Sequence, residues 1–129
     1  RGFLMTNLLR SCLVVSAFLV VGQANAACKI STDWDFAGQT RVVQDNDYWR
    51  FTVKDSPEDR HLPAKKNRTL WDASWYNKVS AVELTPNCKA VFFMTPGLGQ
   101  GHVAIKETTP RFPENLNDKT QGMVCECTN

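Results

Sequence analysis

The chain has 129 residues, of which 43% are hydrophobic and 22% charged, and its formal net charge is +2. A chain of this length builds one small domain rather than several. Beyond the apolar N-terminal segment, Lys plus Arg and Asp plus Glu balance at thirteen each, so charge gives no reason to expect nucleic acid or an anionic membrane as a partner.

Arg10 precedes an almost unbroken apolar run from Cys12 to Val21, and Ala24-Asn25-Ala26 closes it. A basic residue, a short apolar run and a small-x-small end describe a secretory signal peptide over residues 1–26. The run falls short of the about 20 residues that cross a bilayer comfortably. The mature chain is expected to begin near Ala27 and to be secreted or periplasmic. Cys12 leaves with the signal, and Cys28, Cys88, Cys125 and Cys127 remain. An even count in a small exported domain reads as two disulfides. A Cys125–Cys127 bridge would close a very tight ring, so each of these two is expected to bond one of Cys28 and Cys88. Such bridges contribute about 2–4 kcal/mol each. A zinc reading is weaker, because Cys125-x-Cys127 lacks knuckle spacing and neither His61 nor His102 lies near it.

Along the mature chain, residues 28–31 read as a strand, and Thr32 to Gly38 as a turn with aromatic anchors in which Gly38 takes positive φ. Residues 39–43 form a second strand and 45–47 a turn. Tyr48-Trp49-Arg50-Phe51-Thr52-Val53 alternates apolar and polar, as a half-buried strand should. Residues 54–68 hold Pro57, Pro63 and many charges, which makes them an exposed loop. Short strands follow at 69–71, 79–84, 88–94, 102–106 and 122–127. A glycine-rich hairpin turn lies at 95–101, and Thr109-Pro110-Arg111-Phe112-Pro113 is extended. No stretch keeps a 3.6-residue apolar period. The fold class is therefore all-β, a disulfide-bonded sandwich of short strands.

Two stretches echo each other. Trp75-Tyr76-Asn77-Lys78-Val79-Ser80-Ala81-Val82 is a polar turn leading into an apolar strand, and Asn117-Asp118-Lys119-Thr120-Gln121-Gly122-Met123-Val124 repeats the plan. A repeat of this size points to a duplicated supersecondary unit. Phe36-Ala37-Gly38 places an aromatic-x-Gly corner after the first strand, and Phe93 with Gly99-Gln100-Gly101 is its looser counterpart. Together these features resemble the βγ-crystallin Greek-key motif, which pairs an F-x-G corner with a later (N/D)(N/D)xx(S/T)S loop. The resemblance covers nearly all of residues 27–129. It implies two Greek-key units packed as a β-sandwich, about 28–86 and 87–129, with 54–68 inserted in the first. The sequence departs from the motif where Tyr76 replaces an acid or amide, Ala81 a serine, and Gln121 and Gly122 the hydroxyl pair. Ser31 also stands where an aromatic is expected.

The resemblance implies calcium ligation by Asn77 and Ser80 in one loop and by Asn117 and Asp118 in the other. A hard cation takes oxygen ligands, and with Asp118 the single carboxylate the affinity belongs in the roughly 10⁻⁴–10⁻³ M range. A plain polar turn, with side chains bonded to their own backbone, is the simpler alternative. No nucleophile or acid–base constellation stands out, and Asp33/Asp35 and Asp45/Asp47 suit turns better than catalysis, so a non-enzymatic structural or binding module is expected. Trp34, Trp49, Trp71 and Trp75 suit core anchors better than a sugar-stacking platform. The alternative function is a secreted protease inhibitor, or a toxin-like protein of the same fold, that presents Lys65, Lys66 and Arg68 from the charged loop or uses the turn 95–101. The partner is then a protein or surface met by a monomer, with no nucleic acid and no membrane. Asn67-Arg68-Thr69 is a glycosylation sequon in a eukaryotic host.

Overall fold

The computed structural model describes residues 26–57, 68–94 and 101–128. The expected signal segment before residue 26 and most of the charged loop lie outside the described residues. Among the described residues eight strands form: β1 (Ala27–Ser31), β2 (Thr40–Gln44), β3 (Asp47–Arg50), β4 (Arg68–Trp71), β5 (Ala81–Leu84), β6 (Cys88–Phe93), β7 (His102–Ile105) and β8 (Gly122–Cys127). Single 3₁₀ turns occur at Trp34–Phe36 and Ala73–Trp75. The alternation read from the sequence holds best in β6, where Cys88, Ala90 and Phe92 face the core and Lys89, Val91 and Phe93 face outward.

The strands make two sheets, in the orders β2-β1-β5 and β4-β3-β8-β6-β7. Antiparallel pairing joins β1 to β2 and β5, with Ile30 opposite Arg41 and Val82. In the larger sheet β8 lies between β3 and β6, with Val124 opposite both Tyr48 and Val91. That central position explains why Gly122, Met123, Val124 and Cys125 are all buried in succession; a strand with neighbours on both edges and a core on one face keeps little water contact.

The two sequence units do not form one sheet each. Strand β3 of the first unit pairs with β8 of the second. In return, Thr109 of the second unit bridges Val82 of β5 through N–H···O bonds of 3.0 and 2.8 Å. The first unit thus lends β3 and β4 to the larger sheet, and the second returns a single-residue bridge at Thr109 to the edge of the smaller one, the interlocking of a paired Greek key. β4 adds a parallel edge to β3, a pairing absent from the expectation that 54–68 is simply an excursion.

Two boundaries differ from the sequence reading. β3 ends at Arg50 rather than Val53: its register with β8 stops at Arg50 opposite Gly122, and Phe51 and Thr52, both buried, lie beyond it. β5 starts at Ala81 rather than Val79, because Val79 is already engaged with the opposite loop: its carbonyl accepts the Asp118 N–H at 3.1 Å.

The core lies between the sheets and is built on Ile30, Val43, Phe51, Trp75, Val82, Phe92, Leu116 and Met123, all 0–1% exposed. Phe51 meets Trp75 at 6.3 Å between ring centroids, and Phe92 meets Phe112 edge-on at 5.1 Å. Cys28 of β1 is bonded to Cys125 of β8, which ties one sheet to the other. Cys88 of β6 is bonded to Cys127, its register partner on β8. Both first-expected partners, the opening strand of each unit, are therefore tied to the last strand.

Candidate functional site

The two echoed loops pack side by side. In the first, Asp72 caps the 3₁₀ turn by accepting the Ser74 N–H at 3.0 Å, and Trp75, fully buried, fixes the turn to the core. In the second, the Pro113 carbonyl accepts from Leu116 and Asn117 at 2.9 and 2.8 Å, and Leu116, 1% exposed, is the anchor. Both loops then pass through a left-handed residue, Asn77 at φ 53° and Asp118 at φ 56°. Asn and Asp tolerate this region better than other side chains bearing a Cβ.

The equivalence extends to the hydrogen bonds. Lys78 N–H donates to Trp75 and Lys119 N–H to Leu116, each at 3.2 Å. The loops then cross-bond: Asn77 N–H donates to Thr120 at 2.9 Å, and Asp118 N–H to Val79 at 3.1 Å. Tyr76 therefore corresponds to Asn117, Asn77 to Asp118 and Ser80 to Gln121.

This two-fold relation divides the candidate site into unequal halves. On one side stand two departures from the crystallin motif, Tyr76 and Gln121, joined by a Gln121 Nε2–H···Oη hydrogen bond of 2.9 Å. On the other side Ser80, 4% exposed, donates to Asp118 Oδ1 at 3.0 Å. Asn117 Nδ2 reaches Asp118 Oδ2 at 3.4 Å. The Oδ1 atoms of Asn77 and Asn117 are buried with no hydrogen-bond partner, as are Thr120 Oγ1 and Gln121 Oε1. A buried acceptor without a donor costs about 1–3 kcal/mol, so these oxygens are suited to a cation or a water. The structure thus brings Ser80, Asn117 and Asp118 together, with Asn77 one loop away in the equivalent place to Asp118. Gly122, which stands where the motif has serine, packs against Tyr48: a Cβ there would lie 2.8 Å from Tyr48 Oη.

The basic loop residues fare differently. Lys65, Lys66 and His61 lie outside the described residues. Arg68 opens β4 and makes a paired hydrogen bond to Asp47, at 2.8 and 2.7 Å. Asp47 is 3% exposed, so Arg68 neutralises a buried carboxylate, and Asp47 in turn holds the guanidinium pKa above its ordinary value. The turn 95–100 is also outside the described residues. His102 sits exposed at the start of β7, its ring 6.4 Å from Phe93. The sulfurs of Cys88, Cys125 and Cys127 cluster within 4.8 Å, but disulfides occupy all three.

The tryptophans separate into roles that the sequence could not assign. Trp75 is core. Trp49 and Trp71 are half-buried beneath cations, with the Arg41 guanidinium 4.3 Å from the Trp49 centroid and Lys54 Nζ 4.9 Å from that of Trp71. Arg41 also pairs with Asp72 at 2.6 Å. Burial pushes the Asp72 carboxyl up, yet the Ser74 hydrogen bonds and the Arg41 charge outweigh it and leave the pKa lowered. Trp34 is 48% exposed, and Arg111 stacks on it at 5.2 Å. Arg111 also bonds Asp35 at 3.2 and 2.9 Å, and those hydrogen bonds hold the Asp35 pKa below the usual carboxylate value. The Arg41–Asp72 and Arg111–Asp35 pairs were not readable from the sequence, since their partners are far apart in the chain.

No family model and no curated protein sequence matches the chain. Solved structures do. A βγ-crystallin domain from Flavobacterium johnsoniae is similar at a TM-score of 0.57 and 10% identity, covering 79% of this chain and 96% of that one. The N-terminal domain of Protein S matches at 0.57 and 13% identity, covering 80% and 98%. A βγ-crystallin domain from Clostridium beijerinckii matches at 0.57 and 9% identity, covering 79% and 99%. The protein has the βγ-crystallin fold, two Greek-key units in a disulfide-bonded β-sandwich.

Proposed function

We propose that the protein is an exported, non-enzymatic binding module of βγ-crystallin type whose paired loops take calcium weakly. The observation that carries this reading is the partnerless buried amide oxygen of Asn117 beside the Ser80–Asp118 hydrogen bond. The donors are carboxylate, amide and hydroxyl oxygens, the chemistry a hard cation prefers. Ser80, Asn117 and Asp118 hold the ion on one side of the loop pair, and Asn77 stands in the place equivalent to Asp118 on the other. Asp118 is the single carboxylate among these donors, so the affinity stays in the roughly 10⁻⁴–10⁻³ M range. The Tyr76–Gln121 hydrogen bond closes the equivalent half-site, which leaves one ion per chain.

Calorimetric titration of the oxidised mature chain tests this. Calcium is expected to bind at one site and to raise the melting temperature by several degrees at about 10 mM, tenfold above the weaker limit. Asp118→Asn keeps the shape and the tolerance for left-handed backbone while removing the charge, and it is expected to abolish both signals. Absence of heat and of any thermal shift in the wild type at that concentration refutes the calcium reading.

A further inference from the structure

We infer that the cleft beside Trp34 is a binding site for a neutral saccharide. The cleft has a volume of about 630 Å³ and is lined by Trp34, Arg111, Phe112, Glu114, Asn117 and Lys119. That size falls within the roughly 300–1,000 Å³ of small-molecule sites. Its lining combines a half-exposed indole, with Arg111 stacked over one face, and polar groups. Phe112 is 2% exposed and provides an apolar floor. Donors are present in Arg111, Lys119 and the Asn117 amide, and acceptors in Glu114 on the lining and in Asp35 beside it, bonded to Arg111.

The charges select the ligand class. Arg111 and Lys119 are balanced by Asp35 and Glu114, so the rim attracts neither a strong anion nor a cation. A purely apolar ligand would strip water from these groups without replacing it, at a penalty for each. A pyranose ring with equatorial hydroxyls meets both demands: its C–H face packs on the part of the indole that Arg111 leaves exposed, and its hydroxyls both donate and accept.

The site is also held in place before any ligand arrives. Asp35 and Phe36 lie at φ 57° and 62°, two consecutive non-glycine residues in the left-handed region. Such conformations cost energy and persist where surrounding structure enforces them, often at functional sites. Here the enforcement comes from across the cleft. Asp35 N–H donates to the Pro110 carbonyl at 2.8 Å, its carboxylate bonds Arg111, and Arg111 stacks on Trp34. The turn that carries Trp34 is thereby fixed to the segment that carries the polar groups.

The test uses the oxidised mature chain with insoluble cellulose, chitin and α-mannan in pull-downs, and with cellohexaose, chitohexaose and mannohexaose in fluorescence titrations. All assays run in EDTA, so the outcome is independent of the calcium reading, although Asn117 serves both. Wild type is expected to be retained on at least one polymer and to bind its soluble oligomer. Trp34→Ala is expected to weaken that binding by about tenfold or more, as loss of a stacking face should. Val42→Ala, an equally exposed apolar residue on β2, leaves it unchanged. Should Trp34→Ala prove misfolded by circular dichroism, Glu114→Gln, which removes one exposed acceptor charge, is expected to weaken binding in its place. Failure of the wild type to bind all three sugars overturns the inference. Equal binding by the wild type and the folded variant also overturns it.

Discussion

Replacing Cys28 and Cys125 together by alanine removes the covalent tie between the two sheets. The bonded residues are 97 apart in sequence, but Cys88–Cys127 remains and shortens the path. The shortest route from residue 28 to residue 125 then runs to 88, across the bridge and back from 127, an effective loop of roughly 62 residues. Chain entropy assigns about 4.3 kcal/mol to closing a loop of that size in the unfolded state. For Cys88 and Cys127, 39 apart, the same relation gives about 3.9 kcal/mol. Cys28 and Cys125 are also fully buried, so lost packing adds to the first figure. Against the roughly 5–15 kcal/mol of a typical domain, either loss leaves a marginal fold. The assay is urea unfolding without reductant, followed by tryptophan fluorescence. The midpoint is expected to fall by roughly 2–4 M in each double variant, with the slope m rising because the unfolded chain expands. A loss below about 1 kcal/mol with unchanged m would refute the entropic reasoning.

Gly38→Ala meets two obstacles at once: φ is +76°, and the new Cβ would sit 2.3 Å from Thr32 Oγ1. A loss of about 1–3 kcal/mol is expected in thermal or urea unfolding, and a neutral result would mean that the turn relaxes freely. Asn77→Ala is expected to lower stability by about 1 kcal/mol, because alanine tolerates the left-handed position poorly, while Asn77→Gly is expected to be near neutral; the reverse order in denaturant melts contradicts the backbone argument. The Asp72 pKa is lowered in the fold, so the folded state binds fewer protons there than the unfolded state does. Its contribution is present above the ordinary carboxylate pKa and lost as pH falls below about 4. Asp72→Asn is therefore expected to flatten the acid limb of a stability–pH profile, and an unchanged limb removes Asp72 from the account.

Much of the fold was legible because short strands write themselves in alternation. Lys89 and Val91 between Cys88, Ala90 and Phe92 are enough to orient β6. The destination of each strand was not legible. Nothing in Tyr48-Trp49-Arg50 says that it pairs with β8, because that choice is made by the whole sandwich. The loop alignment of Tyr76 with Asn117 followed from spacing alone, and the cross-bonds at Asn77 and Asp118 place the two loops side by side. What spacing could not give was the hydrogen bond between Tyr76 and Gln121, two departures from one motif that meet only in three dimensions. The tryptophans show the same limit. Trp34 and Trp75 stand in similar polar turns, yet one is half exposed and the other fully buried, since burial depends on which face the opposite sheet covers.

The pairing of β3 with a strand from the end of the chain has a consequence for the order in which the protein can be made. β8 is the seam of the larger sheet, the neighbour of both β3 and β6, and it carries the partners of both bridges. A growing chain that has reached residue 86 has its smaller sheet within reach, but β3 has no partner on its β8 side. Pairings this distant in sequence form slowly, and an open strand edge in the interval invites pairing with other chains. Folding is therefore timed by residues 122–127. Until they arrive, the first half is held in waiting, and the cysteines at 28 and 88 stay open to whatever thiol chemistry surrounds them.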